Sequence, residues 1–540
     1  MLVILKYLNI QFINIMSKKE SFIQEIAQGY TFKGTSIDLG AAMLDKEGLP
    51  GAMVKLPLKT MNRHGLIAGA TGSGKTKTLQ ILAEQLSAHG VPSLLMDIKG
   101  DLSGIAAAGT SNPKIEDRHQ HIGIPFIPSG SPVDFLSLSN EKGARLRATI
   151  SEFGPVLFSR ILGLNDTQSG VVSVIFKYCD DHNLPLLDLA DFKQTLQYLA
   201  NEGKDSIEQE YGQISATTVG TIMRKVIELE QQGASSFFGE RSFEVEDLCR
   251  LDSNGKGIVS VVRLTDIQDR PKLFSTFMLQ MLAEIYSSFP EAGDMDKPKL
   301  VIFIDEAHLV FSEASKALLD QIEAIVKLIR SKGVGLYFVT QNPADIPEAV
   351  LSQLGLKIQH SLRAFTAKDR KAIKLAAENY PESSYYDVAQ LITELGIGEA
   401  FVTALNEKGI PTPLAHTLLR APQSRMDVLT DYEIDSIVSR SSLVRKYNEV
   451  VDRESAHDIL SRKVKASRDA EMQEELRKQR EAAERATAKQ KTTTTRRTRQ
   501  EKSTFEEIMD STVTRQVGRT IARELARGLL GVLGLGGRRK

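Results

Sequence analysis

The chain has 540 residues, of which 41% are hydrophobic and 25% are charged, and its formal net charge is zero. At roughly 150 residues per domain, this length predicts a few domains with a large buried core. The balanced charge gives no support for nucleic acid as a partner, although it does not exclude a local basic patch on the surface. Cys179 and Cys249 lie far outside any short metal-binding spacing, and so few cysteines favour a reducing cytoplasm and buried structural thiols.

The segment Met1–Ile15 is apolar but does not match a signal peptide. No basic stretch precedes it, no small-residue cleavage site follows it, and it is too short to span a bilayer as a helix. We interpret it as an upstream extension of a chain that starts at Met16, with a disordered or membrane-touching segment as the alternatives. No other stretch of the sequence reaches transmembrane length.

The first third of the chain predicts an α/β arrangement. Alternating apolar positions in Tyr30–Thr60 indicate short antiparallel strands. A buried strand, His64–Ala68, then runs into a glycine-rich turn, followed by a helix over Thr76–His89 and a second buried strand, Ser93–Asp97. The order strand, glycine loop, helix, strand predicts a parallel sheet.

The rest of the chain predicts a helical insertion followed by more of the same sheet. The amphipathic runs of the insertion are Lys142–Phe153, Gly170–His182, Asp188–Asn201 and Thr217–Gln231. Later strands are predicted at Gly257–Leu264, Leu300–Ile304, Gly335–Thr340, Leu356–Ser361 and Glu399–Ala404, with helices at Lys272–Tyr286 and Ala314–Lys332. Strands this continuously apolar are covered on both faces, as in a doubly wound sheet.

A phosphate-binding loop lies between the first buried strand and its helix. The residues from Gly69 to Thr76 fit the pattern G-x-x-x-x-G-K-[ST] in full. The predicted nucleotide-binding residues are Gly69, Ala70, Thr71, Gly72, Ser73, Gly74, Lys75, Thr76 and Lys77. Glycines let backbone N–H groups face phosphate oxygens, Lys75 reaches the β- and γ-phosphates of ATP, and the Thr76 hydroxyl ligates Mg²⁺.

A carboxylate pair, Asp305 and Glu306, ends the buried strand Leu300–Ile304. At the carboxyl edge of the sheet, Asp305 is placed to hold Mg²⁺ and Glu306 to act as the general base for an attacking water. A buried strand can also end in acidic residues merely because it reaches the surface. The complete phosphate-binding loop upstream favours the catalytic interpretation.

Two further candidates flank the strand Gly335–Thr340. Gln341 follows this strand and can sense the γ-phosphate or orient the water, whereas Arg330 precedes it and can act on a neighbouring subunit's nucleotide as an arginine finger. The alternative for Arg330 is a cation favoured by the helix dipole. Asp97, at the end of the second strand, either supports the site or is simply solvated in its loop.

These motifs resemble the HerA/FtsK branch of the additional-strand P-loop ATPases. The resembling segments are Arg63–Thr76, Asp97–Asp101, Asp305–His308 and Arg330–Pro343, and the likeness to a subgroup of HerA-like ATP-binding proteins extends over Tyr30–Pro422. The resemblance implies a RecA-like core that binds ATP and Mg²⁺, with Lys75 and Thr76 on nucleotide and metal, Asp305 on the metal, Glu306 as base and Arg330 acting in trans. It also implies a hexameric ring that moves DNA.

Composition and motifs together divide the chain into eight segments. They are an N-terminal extension (1–29), a short β segment (30–60), the first part of the ATPase core (61–139), the helical insertion (140–250), the second part of the core (251–425), a helical extension (426–460), a charged low-complexity linker (461–502) and an amphipathic basic segment (503–540). The charged linker is predicted to be a solvated helix or disordered.

Three functions compete at this point. A ring-forming ATPase that moves DNA is favoured by the core motifs together with basic residues of the tail, among them Arg462, Lys463, Arg496 and Arg497. A nucleotide-driven switch or assembly ATPase on a protein or membrane complex is the alternative, because apolar and basic residues alternate by face in Val517–Leu535. A metabolic kinase is third, since Glu306 suits water activation better than transfer to a small acceptor.

Overall fold

The computed structural model describes residues 18–293, 295–311, 316–364, 366–449, 451 and 453–494. The chain divides into two compact units, Met1–Arg462 and Lys463–Lys540. The apolar segment Met1–Ile15 and the amphipathic segment 503–540 lie outside the described residues, so the predictions for both remain predictions.

Within the described residues, strands of the first unit form one twelve-stranded sheet in the order β2-β1-β12-β11-β10-β3-β9-β8-β4-β7-β5-β6. The strands are β1 (Ser36–Leu44), β2 (Glu47–Pro57), β3 (Gly65–Ala68), β4 (Ser93–Asp97), β5 (Val133–Ser137), β6 (Ala144–Arg145), β7 (Val259–Arg263), β8 (Leu300–Ile304), β9 (Val334–Thr340), β10 (Leu356–Gln359), β11 (Glu399–Thr403) and β12 (Ala415–Leu419).

The described helices alternate with these strands through the core. They are α1 (18–29), α2 (Lys75–Ala88), α3 (Pro113–Ile122), α4 (Ile150–Ile161), α5 (Asp166–Asp181), α6 (Leu189–Ala200), α7 (Lys204–Glu210), α8 (Ala216–Gln231), α9 (Pro271–Ser288), α10 (His308–Phe311), α11 (Lys316–Ile329), α12 (Glu348–Leu351), α13 (Ala367–Glu378), α14 (Val388–Glu394), α15 (Asp431–Arg440), α16 (Ser442–Tyr447) and α17 (Ala456–Thr494).

The eight strands from β10 to β6 are parallel to one another, whereas β11, β12, β1 and β2 continue the sheet antiparallel. Strand β9 lies between β3 and β8, which is the extra strand that the additional-strand P-loop fold requires. The predicted α/β class with a mostly parallel sheet is therefore confirmed. Because parallel strands end at the same edge, the residues that follow β3, β9, β8 and β4 come together there.

The predicted antiparallel strands of Tyr30–Thr60 are present and belong to this same sheet. Strand β1 pairs with β12, with Gly40 opposite Leu419. A Cβ atom at Gly40 would lie 2.0 Å from the Leu418 carbonyl oxygen, so only glycine permits this approach of the two backbones. The N-terminal strands thus extend the core sheet through a contact with a segment almost 380 residues further along the chain.

The region predicted as a helical insertion contains α4 to α8, but its first predicted helix is wrong in part. Residues of the run Lys142–Phe153 form β6, and α4 begins only at Ile150. The Gly143 backbone packs against the Phe135 carbonyl, where a Cβ would approach to 2.7 Å, and this contact keeps the segment extended along β5. Thr149 then starts α4 with a capping box to Glu152.

The two cysteines are free, with Cys179 buried in α5 and Cys249 partly buried. Burial raises the pKa of the Cys179 thiol to about 12 and that of Cys249 to about 11. Both groups are therefore protonated and unreactive near neutral pH, as expected of structural thiols.

The charged tail is helical as far as it is described. Helix α17 runs to Thr494, and its residues 465–485 are all exposed, so the solvated-helix alternative holds for this part of the predicted linker. None of the helices in the described ranges is both long and apolar enough to cross a membrane.

Candidate functional site

The loop from Gly69 to Gly74 joins β3 to α2 at the carboxyl edge of the sheet. Its three glycines all have positive φ, at 155° for Gly69, 77° for Gly72 and 117° for Gly74. A Cβ at Gly69 would lie 2.5 Å from the Cβ of His360, whereas one at Gly72 would meet only open space. Glycine is therefore required at all three positions for the backbone conformation. At Gly69 it is required also because the loop packs closely against His360.

The neighbouring strands fix the start of this loop. The Gly69 N–H donates to the Thr340 carbonyl at the end of β9 over 3.2 Å, and the Ala70 N–H donates to the Ser361 carbonyl beyond β10 over 2.8 Å. Because both acceptors lie at the carboxyl ends of parallel strands, the loop is held at this edge of the sheet. The loop leads directly into the N-terminus of α2, where a helix binds anions.

Lys75, the lysine of the motif, is buried inside this loop. Its ammonium donates to the carbonyls of Gly69 and Ala70 over 2.7 and 3.1 Å. Burial lowers the pKa of Lys75, and the nearby carboxylates of Glu306 and Asp305 oppose that shift. The loop, its cation and the acidic strand end therefore form one electrostatic unit, as the sequence predicts.

Asp305 follows β8 and keeps one carboxylate oxygen without a hydrogen-bond donor. Its Oδ1 accepts the Glu306 N–H over 2.9 Å, whereas Oδ2 is buried with no partner among the described residues. Burial, reinforced by the charge of Glu306, raises the pKa of Asp305 to about 7. A buried oxygen of this kind fits a hard cation such as Mg²⁺, which prefers oxygen ligands and neutralises the carboxylate.

Protein ligands for that cation are few. Within the described ranges, no three His, Cys, Asp or Glu residues converge into a metal cluster. Mg²⁺ in nucleotide sites is held by one or two protein oxygens together with water and phosphate, so Asp305 and the Thr76 hydroxyl at the start of α2 fit the expected set.

Glu306 is held on both carboxylate oxygens. Its Oε1 forms an ion pair with Lys99, and its Oε2 lies 3.2 Å from His308 Nδ1 and 3.5 Å from Gln341 Nε2. Its backbone adopts φ of 47°, an uncommon conformation for glutamate. Burial raises the pKa of Glu306, but the Lys99 ammonium outweighs burial and the net pKa lies below its usual value.

Gln341 connects Glu306 to the phosphate-binding loop. It follows β9, and while its Nε2 points to Glu306, its Oε1 lies 3.4 Å from the Thr71 hydroxyl. The structure therefore brings together the predicted loop, Asp305, Glu306 and Gln341. It also places β9 between the loop strand and the Asp305 strand, so that Gln341 is the side chain that spans them.

Arg330 lies at the opposite edge of the sheet. It is exposed, and it precedes β9, whose carboxyl end carries Gln341. The seven residues of β9 separate the two edges by about 20 Å at ~3.3 Å per residue. Arg330 is thus remote from the loop of its own chain, and only the interpretation in trans is compatible with a catalytic role.

Asp97 organises the turn after β4. Its carboxylate accepts the N–H groups of Gly100, Asp101 and Leu102 over 2.8, 3.1 and 3.3 Å. Burial, with a further contribution from the charge of Asp101, raises the pKa of Asp97 to about 6. Asp97 supports the site indirectly, because the turn that it holds carries Lys99.

Three residues of the site have no predicted role in the sequence. They are Lys99 and His308, which contact Glu306, and His360, which packs against Gly69 and whose Nε2 lies 2.9 Å from the Thr78 hydroxyl. Burial lowers the pKa of His360 to about 4, so this imidazole is neutral at pH 7. Lys99 and His308 stand inside the resembling segments Asp97–Asp101 and Asp305–His308, whereas no resembling segment contains His360.

Comparison with known proteins places this geometry in a family. The family model described as helicase HerA-like C-terminal matches residues 43–540. The chain is 25% identical over 373 residues to the DNA double-strand break repair helicase HerA of Saccharolobus solfataricus, covering 65% of this chain and 63% of that protein. It is 23% identical over 367 residues to the helicase of the same name from Sulfolobus acidocaldarius, covering 66% of each.

The chain therefore spans less than two thirds of the length of these relatives. A solved structure of the plasmid coupling protein TrwB with a non-hydrolysable ATP analogue covers 75% of this chain and 95% of its own, at 14% identity and a TM-score of 0.48. The fold assignment rests on the strand order of this chain and not on that similarity.

Proposed function

Because the chain belongs to the helicase HerA-like C-terminal family, we propose that it hydrolyses ATP at the carboxyl edge of its sheet and uses the energy to move along DNA as a ring. The observation that carries the ATPase part is the arrangement at the end of β8. There a buried Asp305 oxygen has no donor among the residues that the structure describes, and the adjacent Glu306 carboxylate is joined through Gln341 to the phosphate-binding loop.

In this proposal the chain's own residues divide the reaction between them. The N–H groups of the loop and the Lys75 ammonium bind the phosphates, and Glu306 accepts a proton from the attacking water while Gln341 orients that water. The water oxygen forms a bond to the γ-phosphorus while the bond between the γ-phosphorus and the β–γ bridging oxygen breaks. The products are ADP and phosphate. Mg²⁺, held by Asp305 and Thr76, would supply charge neutralisation on the phosphates.

The exposed position of Arg330 supports an oligomer. An arginine that stabilises transition-state charge must reach a nucleotide, and the nucleotide site of its own chain lies at the other edge of the sheet. A second copy can present its site to Arg330, so we propose a homo-oligomer, with a hexamer as the favoured state. Closed rings with such head-to-tail interfaces are a common form of symmetric assembly.

DNA is the proposed substrate. The two relatives named above are DNA double-strand break repair helicases. The exposed helix α17 adds basic residues such as Arg462, Lys463, Lys465 and Arg468, which can contact phosphates without sequence preference. The alternative, an ATPase acting on a protein or membrane complex, depends on segment 503–540, which lies outside the described residues.

The test is phosphate release by the full chain with Mg²⁺, with and without linear double-stranded DNA, and with the oligomeric state followed by mass photometry. We expect turnover, rings in ATP, severalfold stimulation by DNA that declines as salt rises, and loss of turnover in Lys75→Ala. Lys55→Ala, a change at a half-exposed surface ion pair, serves as the control.

Each failure has a distinct meaning. Turnover that DNA does not change would remove the DNA motor and favour a protein or membrane partner. A persistent monomer would contradict the ring. Turnover by Lys75→Ala equal to that of the unaltered chain would overturn the assignment of the site.

A further inference from the structure

Lys99 is an exposed side chain that pairs with the buried carboxylate of Glu306. Its side chain is 41% exposed, whereas that of its carboxylate partner is 6% exposed. The ammonium also lies close enough to Asp305 and Asp101 to be stabilised by their charges. It thus sits in an acidic environment that opens to solvent, on the same side as the phosphate-binding loop.

The backbone beneath Lys99 is rigid. Asp97 binds the three N–H groups that follow Lys99, and Gly100 has φ of 77° with the Thr265 methyl 2.8 Å from where its Cβ would be. A long, flexible side chain therefore extends from a fixed point. Lys99 can move its ammonium by several ångströms through side-chain rotation alone, without any change in the turn.

Glu306 lacks that freedom. Its backbone is fixed at the end of β8, and its Oε2 faces His308 and Gln341. Of the charged pair, it is the lysine that can change partners. The Lys75 ammonium, which the phosphates are expected to meet, is near enough to Lys99 for the two cations to repel each other. A γ-phosphate between them would relieve this repulsion.

We propose that Lys99 exchanges between Glu306 and the terminal phosphate of a bound nucleoside triphosphate. The inference rests on the proposed ATPase function and assigns Lys99 as a positioning residue of the same site. Lys99 leaves the carboxylate only for a ligand that carries a γ-phosphate, so a diphosphate does not release Glu306. Oε1 of Glu306 is then available to accept the proton of the attacking water.

The rival explanation is a fixed salt bridge that only supports the fold. A fixed bridge keeps its partners on binding, so its removal would disfavour triphosphate only through repulsion between the γ-phosphate and the unpaired Glu306 carboxylate. An exchanging lysine binds triphosphate preferentially, and Glu306 competes with the ligand for it. A ligand can shift such an equilibrium only through its different affinity for the two arrangements, which makes the exchange measurable by binding alone.

The experiment is a calorimetric titration of the full chain with Mg·ATPγS and with Mg·ADP. We expect Lys99→Met to weaken ATPγS binding about 10-fold, the effect of losing one hydrogen bond between charged groups, and to leave ADP binding unchanged. Lys99→Arg should retain most of the preference because it preserves the charge. Lys55→Met, which removes a lysine of similar exposure from a surface ion pair, should change neither affinity.

A double-mutant cycle separates exchange from simple repulsion. Glu306→Gln should tighten ATPγS binding, since it removes the competitor for Lys99, and this gain should vanish when Lys99→Met is also present. A gain that persists in the double variant means that Glu306 merely repels phosphate, and it overturns the proposal.

Equal losses for ATPγS and ADP in Lys99→Met, or no loss for either, also overturn the exchange. If the unaltered chain binds both nucleotides through Lys75, only this inference fails in those cases. If the unaltered chain binds neither nucleotide, the proposed function fails and the exchange fails with it. Circular dichroism of each variant shows whether a loss reflects misfolding, and Lys99→Arg provides a folded comparison.

Discussion

The two ends of strand β9 differ in how completely the chain surrounds them. At the carboxyl end, Gln341 contacts both Thr71 and Glu306, and the loop that precedes α2 is bonded to the backbone of the same strand. At the amino end, Arg330 is exposed on the turn between α11 and β9. At the carboxyl end the residues of the candidate site contact one another, whereas at the amino end the Arg330 cation is exposed to solvent.

This difference shows which parts of the proposed ATPase one chain can supply. The groups proposed to bind phosphate, metal and water lie at one edge and are held by contacts within the chain. The group that would complete the charge stabilisation lies about 20 Å away, at the far end of the same strand. Under this proposal a single chain is expected to bind nucleotide, and fast turnover is expected to need a second copy.

A large effect is expected from removal of the remote arginine. Arg330→Ala should lower kcat by about 10³-fold or more, as for other arginine fingers, because it removes a positive charge from the transition state. ATP binding should be unchanged, since Arg330 lies away from the loop of its own chain. Phosphate release at saturating ATP, with binding measured separately, checks this.

A matched control lies on the preceding helix. Lys327 is exposed in the last turn of α11, so Lys327→Ala removes a nearby cation without touching the proposed finger. Its turnover should stay close to that of the unaltered chain. Normal hydrolysis by Arg330→Ala would mean that the amino end of β9 takes no part, and Arg330 would then be a cation favoured by the helix dipole.

A smaller effect is expected from Gln341 at the carboxyl end. Gln341→Ala removes one hydrogen bond to the Glu306 carboxylate, and such a bond to a charged group contributes roughly 1.5–3 kcal/mol. We therefore expect kcat to fall about 10-fold or somewhat more, with little change in KM. Gln353→Ala, at an exposed glutamine beyond α12, is the control. A change in KM alone would show that Gln341 contributes to nucleotide binding instead of positioning water.

A different effect concerns stability and pH. Folding raises the pKa of Asp97 from 3.8 to about 6 through burial, so the folded chain binds this proton more tightly than the unfolded chain does. The resulting stabilisation is fully present below pH 4 and is lost as the pH rises through about 6, and it amounts to roughly 3 kcal/mol. Relative to Asp97→Asn, the unaltered chain should therefore lose thermal stability between pH 4 and pH 7.

The midpoint of thermal unfolding, measured for both proteins across that range, checks the sign. A difference between the two proteins that does not vary with pH would contradict the raised pKa of Asp97. The turn that carries Lys99 would then be stabilised mainly by hydrogen bonds that either side chain can make.

Much of the parallel core is predictable because its strands are continuously apolar and the motif residues follow them directly. Strands β3, β8 and β9 lie within a residue or two of their predicted bounds. The joining of β1 to β12 is not predictable in the same way, since pairing between distant segments leaves no local periodicity. Gly40 permits that pairing, but a glycine in a strand has several other meanings.

In the candidate site, too, local sequence patterns predict some features, whereas contacts between distant segments are not predictable. Glycine spacing and a strand that ends in two carboxylates predict the loop, Asp305 and Glu306. The pairing of Lys99 with Glu306 joins residues that are 207 positions apart, and a lysine after a strand is also typical of a solvated loop. The direction and order of β9 in the sheet place Gln341 near the phosphate-binding loop and Arg330 far from it.

Glu306 is proposed to activate water for ATP hydrolysis at the carboxyl edge of the sheet. The direct test is phosphate release by Glu306→Gln beside the unaltered chain, with ATP binding measured on the same preparations. We predict a loss of turnover on the order of 10²–10⁴-fold, as for removal of a general base, with ATP binding retained or tightened. Hydrolysis by Glu306→Gln at the rate of the unaltered chain would contradict the account.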